Sequence, residues 1–315
     1  MDKQTLRPSP TAILNPRLDM NFKAIFTEET EESNLALQSF LSVILGRKIR
    51  DIHLEPNEPP ADIPSQMQMS FDVSVTFEDG EKASIEMQGR EENYEYPIRS
   101  EVQVARLLNN NAKKGCNWEA GKAYQISVLN FHYPKDDKCE LSWYTMRNQK
   151  GHTLAGHLNV IYMDLLQIKK AFGTPVEELT PLQKWGLFFS YADDESKSAY
   201  IQEVARSEEG LMAADFIVRR MSEEDANWFR EFSADKARRD YNTSMAYAEK
   251  KGLENGMKKG LKEGLEKGKR KQALDTAVKL LKMKILTPMQ IVQATGLPAE
   301  DVLELKKEII DEAID

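Results

Sequence analysis

The chain has 315 residues, 41% of them hydrophobic and 30% charged, which suggests two domains, or one large domain with an appendage, around a real core. No apolar stretch approaches about 18 residues and the first residues lack an apolar signal segment, so we expect a cytoplasmic protein without a membrane-spanning helix. The formal net charge of −8 argues at face value against a general nucleic-acid binder, which usually has a basic excess.

The N-terminal region predicts an arm followed by two helices. Residues 1–17 contain three prolines and show no hydrophobic period, which indicates a flexible arm. From Asp19 to Leu45 the apolar residues recur at helical spacing. Ser33 is the expected N-cap of the second helix, and Gly46 is its expected stop.

A β-hairpin is predicted next along the chain. A short strand at Ile49–Leu54 precedes a proline-rich loop at 55–66. Apolar and polar residues then alternate over Phe71–Phe77 and again over Lys82–Gln88, on either side of the turn Glu78-Asp79-Gly80. Two alternating segments around a glycine-containing turn are typical of a hairpin.

The segment after the hairpin predicts a helix, two strands and a helical region. The helix covers Ile98–Asn110, the strands cover Tyr124–Tyr133 and Leu141–Met146, and residues 160–240 are mostly helical in pattern. The order α-α-β-β-β-α-β-β predicts an α/β core with a helical subdomain after it. The core of that subdomain is expected to contain seven aromatic residues: Trp185, Phe188, Phe189, Tyr191, Phe216, Trp228 and Phe232.

A basic glycine repeat follows. Between Glu249 and Lys284 the chain has 12 basic and five acidic residues, so this segment carries +7 and the rest of the chain −15. Glycine recurs there at every fourth position, at Gly252, Gly256, Gly260, Gly264 and Gly268. Five glycines cost a helix about 5 kcal/mol relative to alanine. The segment is therefore either a flexible linker or a helix stabilised by close packing, for example in a dimer.

The C-terminal residues predict a helical hairpin. Thr287 and Gln290 form a capping-box pattern around Pro288, and Gly296 is the expected end of that helix. The next helix, Ala299–Ile309, is acidic, which suits a recognition helix in the DNA major groove poorly. We therefore expect the hairpin to serve packing or homo-oligomer formation.

The length of the hairpin turn decides whether its polar residues share one face. A two-residue turn would place Asp72 opposite Met87 and mix polar with apolar residues on both faces. A three-residue loop ending at Gly80, which suits the left-handed conformation, places Asp72 opposite Glu86, with Gln88 on the same face. This register predicts that the Cβ atoms of Asp72 and Glu86 lie about 5 Å apart.

The paired carboxylates of Asp72 and Glu86 suggest a metal site. Two neighbouring carboxylates repel each other unless a positive charge lies between them, and a hard cation such as Mg²⁺ or Mn²⁺ binds carboxylate and water oxygens. Gln88 could orient a water molecule or donate to a phosphate oxygen. Alternation alone also fits an ordinary outer face of a sheet, where polar residues are the default.

The hairpin and its neighbours resemble a known nuclease family. The arrangement Asp72…Glu86-Met87-Gln88 on strand, turn and strand resembles the PD-(D/E)xK nuclease core, in the variant with Gln replacing Lys. The segments DMNFKAIF, FLSVILG, SIEMQ and YQISVLNF and the basic glycine repeat are similar to the Rpn family of recombination-promoting nucleases and putative transposases. The likeness covers about residues 19–315.

The resemblance implies an α/β restriction-endonuclease-like core, in which helices flank a mixed sheet, with an α-helical extension and a helical C-terminal tail. It implies an endonuclease that cleaves DNA with Mg²⁺ or Mn²⁺ and is associated with recombination or mobile elements. Asp72, Glu86 and the backbone carbonyl of Met87 would be metal ligands, with Gln88 in place of the usual Lys. The chain departs from the family pattern twice, because no proline precedes Asp72 and Gln88 carries no positive charge.

The expected organisation follows from these assignments. It comprises a flexible arm at 1–17, a nuclease core at 18–150, a helical extension at 151–248, the basic glycine repeat at 249–284 and the helical hairpin at 285–315.

Three charged residues are further candidates for the site. Lys23 and Arg99 could contact phosphate, although Lys and Arg are mostly surface residues in proteins. Asp19 could join from the first helix, or could be an acid favoured at a helix N-terminus.

Two other functions stay open from the sequence. The chain could be a non-catalytic DNA-binding or assembly protein with a degenerate nuclease core, or a regulator that acts through protein contacts alone.

Overall fold

The structure is a computed structural model that describes residues 7–56, 70–89, 96–111, 119–134 and 138–311. The chain divides into two compact units, Met1–Ala234 and Asp235–Asp315. In the described part of the chain, no helix combines the length and the apolar character needed to cross a membrane.

The first unit is built on a mixed six-stranded sheet with the order β1-β2-β3-β4-β6-β5. Strands β3, β4 and β6 are mutually parallel, and the other neighbours pair antiparallel. The strands are β1 (Ile52–Leu54), β2 (Val73–Phe77), β3 (Lys82–Gln88), β4 (Ala123–Leu129), β5 (Leu141–Thr145) and β6 (Leu158–Asp164). The predicted bounds of the two hairpin strands are close to those in the structure. Strand β3 agrees at both ends, and β2 begins at Val73 instead of Phe71.

Helices cover both faces of this sheet. The helices of the chain are α1 (Asp19–Thr27), α2 (Glu31–Leu45), α3 (Tyr96–Asn111), α4 (Leu165–Ile168), α5 (Pro181–Tyr191), α6 (Ser198–Arg206), α7 (Glu209–Ser222), α8 (Asp225–Met283), α9 (Pro288–Thr295) and α10 (Ala299–Asp311), of which α1 to α7 belong to the first unit. Short 3₁₀ turns occur at Lys169–Ala171, Val176–Glu178 and Glu195–Lys197. A mixed sheet flanked by helices, with a helical C-terminal region, confirms the predicted fold class.

One hydrophobic cluster lies between the sheet and the helices α1, α2 and α4 to α7, and a second lies between the sheet and α3. The centre of the first is a group of aromatic rings with centroids 5.2 to 6.4 Å apart: Phe22, Phe26, Phe40, Trp185 and Phe189. Helices α5, α6 and α7 therefore share one core with the N-terminal helices α1 and α2.

Two of the seven aromatic residues predicted for the core are in fact half exposed. Phe216 and Phe232 each expose 50% of their surface, because they lie on the outer sides of their helices. Trp185, Phe188 and Phe189 are fully buried, and Trp228 is 8% exposed. An aromatic residue contributes to a core only where its helix face meets another element.

Residues 160–240 are mostly helical, as predicted, but Val160–Asp164 belong to strand β6, which was not predicted from the sequence. This strand pairs with β4 on one side and β5 on the other, so it is an interior strand of the sheet. In its sequence, LNVIYMD, the four residues between Asn159 and Asp164 are buried without alternation because both faces of an interior strand are covered. A short apolar run of this kind does not distinguish a buried strand from a buried helix.

Two N-terminal details also differ from the prediction. Residues Ala12, Ile13 and Leu14, within the predicted arm, are buried in the first cluster. Three consecutive apolar residues without a helical or strand period do not show from the sequence whether they pack against the core. The N-cap of α2 is Thr30, whose side chain accepts a hydrogen bond from the Ser33 backbone N–H, so the prediction of Ser33 as cap is wrong.

The second unit contains most of α8 together with α9 and α10. Of the two alternatives for the glycine repeat, the structure shows the helix, which continues to Met283. The predicted capping box at Thr287 and the left-handed stop at Gly296 are both present around α9. A small core of Ala277, Ile291, Leu297 and Val302 joins the end of α8 to the helical hairpin.

Candidate metal centre

The register of the β2–β3 hairpin agrees with the three-residue loop predicted for it. Val73 pairs with Ile85, and Gly80 at the end of the loop has a left-handed φ of +78°. Continuing the same register by one residue places Asp72 opposite Glu86. The turn chemistry at Gly80 therefore sets which acidic residues face each other.

The strand pairing ends at Asp72, where the carboxylate replaces a backbone partner. Strand β2 begins at Val73, and the Met87 backbone N–H donates to Asp72 Oδ2 at 3.0 Å. The N–H and C=O of one strand residue face the same neighbouring strand. The Met87 carbonyl therefore lies on the side of β3 on which Asp72 lies.

Because strand β2 begins only at Val73, Phe71 does not lie on the same face of the sheet as Val73. The alternation predicted that Phe71 shares a face with Val73, but Phe71 is buried in the second cluster with Tyr96 and Leu107, whereas Val73 is in the first. This prediction is wrong because strict alternation continues only as far as the strand itself.

Helix α1 brings a charged pair to Asp72. Lys23 Nζ lies 2.8 Å from Asp19 and 3.6 Å from Asp72 Oδ1. Burial raises the pKa of Asp72 and the neighbouring Asp19 adds to the rise, while the Met87 N–H and Lys23 oppose it. Desolvation disfavours the charged form of a carboxyl, and at Asp72 this effect outweighs the stabilisation by the N–H and the cation.

Glu86 lies deeper, with 1% of its surface exposed. Its Oε2 is 3.3 Å from Arg99 and accepts from Gln88 Nε2 at 3.3 Å, and its Oε1 accepts from Gln103 Nε2. Burial raises the pKa of Glu86 to about 7 and repulsion from Asp72 contributes, while the Arg99 charge and the two amides oppose the rise.

Helix α3 is held over the sheet by polar side chains on its inner face. Tyr96, Ser100 and Gln103 recur at helical spacing and are all buried. The Tyr96 hydroxyl donates to Ser127 at 3.0 Å, and Gln103 reaches Glu86. Gln103 was missed in the sequence, although a polar residue on the buried stripe of a helix was a signal that could have identified it.

The structure places all the predicted site residues in two contact groups. Asp19, Lys23 and Asp72 form one group. Glu86, Gln88 and Arg99 form the other, joined by Gln103. The Met87 peptide adjoins both, through its bond to Asp72 and its position next to Glu86.

The donor set fits a hard divalent cation that keeps part of its water shell. Within the described residues, no group of three or more His, Cys, Asp or Glu side chains could hold a metal ion. Mg²⁺ typically binds through one or two carboxylates and retains several waters, which suits Asp72, Glu86 and a backbone carbonyl. Gln103 Oε1 is buried beside Glu86 without a hydrogen-bond partner among the described residues, so a further oxygen donor is at hand.

Comparison with known proteins identifies the family. A family model described as PD-(D/E)XK nuclease family transposase matches residues 16–248. The chain belongs to this family. No curated protein and no solved structure matches it at a significant level.

The family match covers the whole candidate site. Residues 16–248 include α1, the β2–β3 hairpin and α3, and therefore every residue of the two contact groups. The match confirms the predicted resemblance, and it associates this PD-(D/E)XK family member with nucleases and mobile elements. The roles of the individual residues stay predictions.

Proposed function

We propose that this protein is a metal-dependent DNA endonuclease that hydrolyses phosphodiester bonds in recombination or mobile-element biology, in the cytoplasm. The observation that carries the proposal is the Asp72 carboxylate bound to the Met87 peptide, opposite Glu86, at the end of β3. Asp72 and Glu86, which we assign to the two acids of the family motif, thus lie close to the Met87 peptide near the end of β3.

The site residues have distinct proposed roles. Asp72, Glu86 and the Met87 carbonyl would hold Mg²⁺ or Mn²⁺. Such a cation lowers the pKa of a bound water and neutralises charge on a phosphoryl oxygen. Gln88, whose amide lies 3.3 Å from Glu86, would orient the water or donate to a phosphate oxygen without adding charge.

Lys23 and Arg99 are proposed to contact phosphate. In the structure each compensates one of the two carboxylates, Lys23 that of Asp72 and Arg99 that of Glu86. Their side chains stay 30% and 38% exposed, so both cations are within reach of a bound DNA backbone. They would supply the positive charge that Gln88 lacks.

The test is cleavage of DNA by the full-length protein with Mg²⁺, with Mn²⁺ and with a chelator. We expect Asp72→Asn and Glu86→Gln to abolish metal-dependent cleavage. Asp79→Asn is the matched control, because Asp79 is an acid of the same hairpin that pairs with Arg47 on the surface. Cleavage by Asp72→Asn at the wild-type rate would contradict the site.

A non-catalytic DNA-binding or assembly protein is the alternative. It is favoured by the uncharged Gln88 and by the three side-chain donors that already hold the Glu86 carboxylate. This alternative expects salt-sensitive DNA binding but no cleavage with either metal, and unchanged DNA affinity in Asp72→Asn. In both cases we propose that the basic segment of α8 binds the DNA backbone and that the C-terminal tail forms homo-oligomers.

A further inference from the structure

Gln103 has a hydrogen-bonding group without an explained partner. Its side chain is 3% exposed, and its Nε2 donates to Glu86 Oε1. The amide oxygen, Oε1, is buried and has no hydrogen-bond partner among the described residues. Nearly all buried polar side-chain atoms in proteins are hydrogen-bonded, and an unsatisfied one lowers stability. The Oε1 of Gln103, unpaired within the described part of the chain, therefore needs an explanation.

The location of this oxygen suggests what it could bind. Oε1 and Nε2 are bonded to the same carbon atom of Gln103. Because Nε2 donates to Glu86, Oε1 also lies close to the Glu86 carboxylate. An amide oxygen is a usual ligand of hard divalent cations. It also adds a donor without adding a third negative charge to a site where two carboxylates already repel each other.

We propose that Gln103 is a further oxygen ligand of the divalent cation held by Asp72 and Glu86. This inference rests on the proposed function and extends the site to helix α3. The polar inner face of α3, which positions Gln103 over the end of the sheet, is then part of the metal site and not only a packing surface.

A second buried glutamine provides a matched control. Gln125 on β4 is fully buried, and its Oε1 accepts from the Ser84 hydroxyl, so its unpartnered atom is the donor Nε2. A variant at Gln125 removes a buried amide from the same sheet without removing an available oxygen. Gln125→Leu should therefore bind metal as the wild type does.

The experiment is isothermal titration of the full-length, chelator-treated protein with Mn²⁺ alone, without DNA, at pH 8. We expect Gln103→Leu to weaken Mn²⁺ affinity about tenfold or more, in the range seen for groups that support metal ligands. We expect Gln103→Glu to tighten it, because affinity of oxygen sites rises with the number of charged ligands. Thermal unfolding of each metal-free variant shows whether it is folded, and Gln103→Met replaces Leu if Leu is not.

The outcomes separate this inference from the proposed function. If Gln103 only positions Glu86 through its N–H, Gln103→Glu replaces a donor by a repelling carboxylate and weakens Mn²⁺ binding, which overturns the inference. Unchanged affinity in Gln103→Leu overturns it as well, while leaving the metal site in place. Absence of Mn²⁺ binding by the wild type overturns the proposed function itself.

Discussion

At the scale of single residues, the site is a balance of buried charges. Glu86 is buried and the Asp72 side chain is 20% exposed, and each carboxylate is compensated by one cation, from Arg99 and Lys23 respectively. Burial is the largest cause that raises the pKa of either carboxyl. If Asp72 and Glu86 hold a divalent cation as we propose, Lys23 and Arg99 compete with that cation for the two carboxylates.

The substitution Lys23→Gln tests this balance. Because Lys23 competes with a metal for Asp72, we expect its loss to raise Mn²⁺ affinity several-fold while DNA cleavage falls. Calorimetry and a cleavage assay measure the two effects separately. Lys122→Gln is the control, since Lys122 pairs with Glu81 at 3.6 Å near the other end of β3. A parallel fall in metal affinity would show that Lys23 does not compete with the cation.

At the scale of elements, the fold depends on how closely helices approach each other and the sheet. Helix α3 approaches through hydrogen bonds, from Tyr96 and Gln103 to the strands. Helices α2 and α7 approach through Gly210 instead. A Cβ built on Gly210 would lie 2.1 Å from Ser39 Cβ and 3.2 Å from the Leu35 carbonyl oxygen, so the crossing leaves no room for a side chain.

Gly210→Ala is therefore expected to destabilise the first unit by about 1–3 kcal/mol, the usual cost of overpacking a well-packed contact. Urea unfolding measures the change. Gly89 is a comparison position, because an added Cβ there meets nothing within 4 Å. Equal free energies of unfolding for Gly210→Ala and the wild type would mean that α2 and α7 cross less closely than the structure shows.

In the glycine repeat of α8, by contrast, we expect substitution of glycine by alanine to stabilise the protein. An added Cβ at Gly252, Gly256 or Gly260 would meet nothing within 4 Å. Each change to Ala should then stabilise the helix by about 1 kcal/mol. Circular dichroism of the full-length variants measures helicity during thermal unfolding. Loss of a homo-oligomer in the same variants, followed by analytical ultracentrifugation, would show instead that a partner helix packs against these glycines.

At the scale of the whole molecule, charge is divided unevenly along the chain. The basic segment carries +7 while the remainder carries −15. In the structure this segment is helical as far as Met283, and its residues 249–272 are exposed. The net charge of −8 therefore conceals an extended cationic surface that could bind phosphates.

Neutralising this surface should weaken DNA binding in a salt-dependent way. With Lys258, Lys259 and Lys262 changed to Gln, the slope of log affinity against log salt should become shallower by about 0.9 for each phosphate that these lysines neutralise in the wild type. Fluorescence anisotropy at several salt concentrations measures the slope. Lys138→Gln with Lys150→Gln, both exposed positions in the first unit, should leave it unchanged. An unaltered slope in the triple variant would exclude this part of α8 as a DNA-binding surface.

Much of the local structure was predictable because it depends on neighbouring residues. The register of the hairpin follows from its alternation and from the left-handed conformation that Gly80 tolerates. The caps at Thr287 and Gly296 follow from side-chain hydrogen bonding and from the absence of a Cβ. Asp72 lies one residue beyond the last paired residues, Val73 and Ile85, so its position near Glu86 follows from that register and was accessible from the sequence alone.

Other features were decided only by the tertiary structure. Strand β6 and the burial of Ala12 to Leu14 depend on which elements cover them, because apolar residues without a period carry no directional signal. The position of Gln103 beside Glu86 depends on how α3 docks across the sheet. The sequence by itself determined the acidic pair and its strands, while the packing of α1 and α3 decided which cations and amides surround it, since those contacts join residues far apart in the chain.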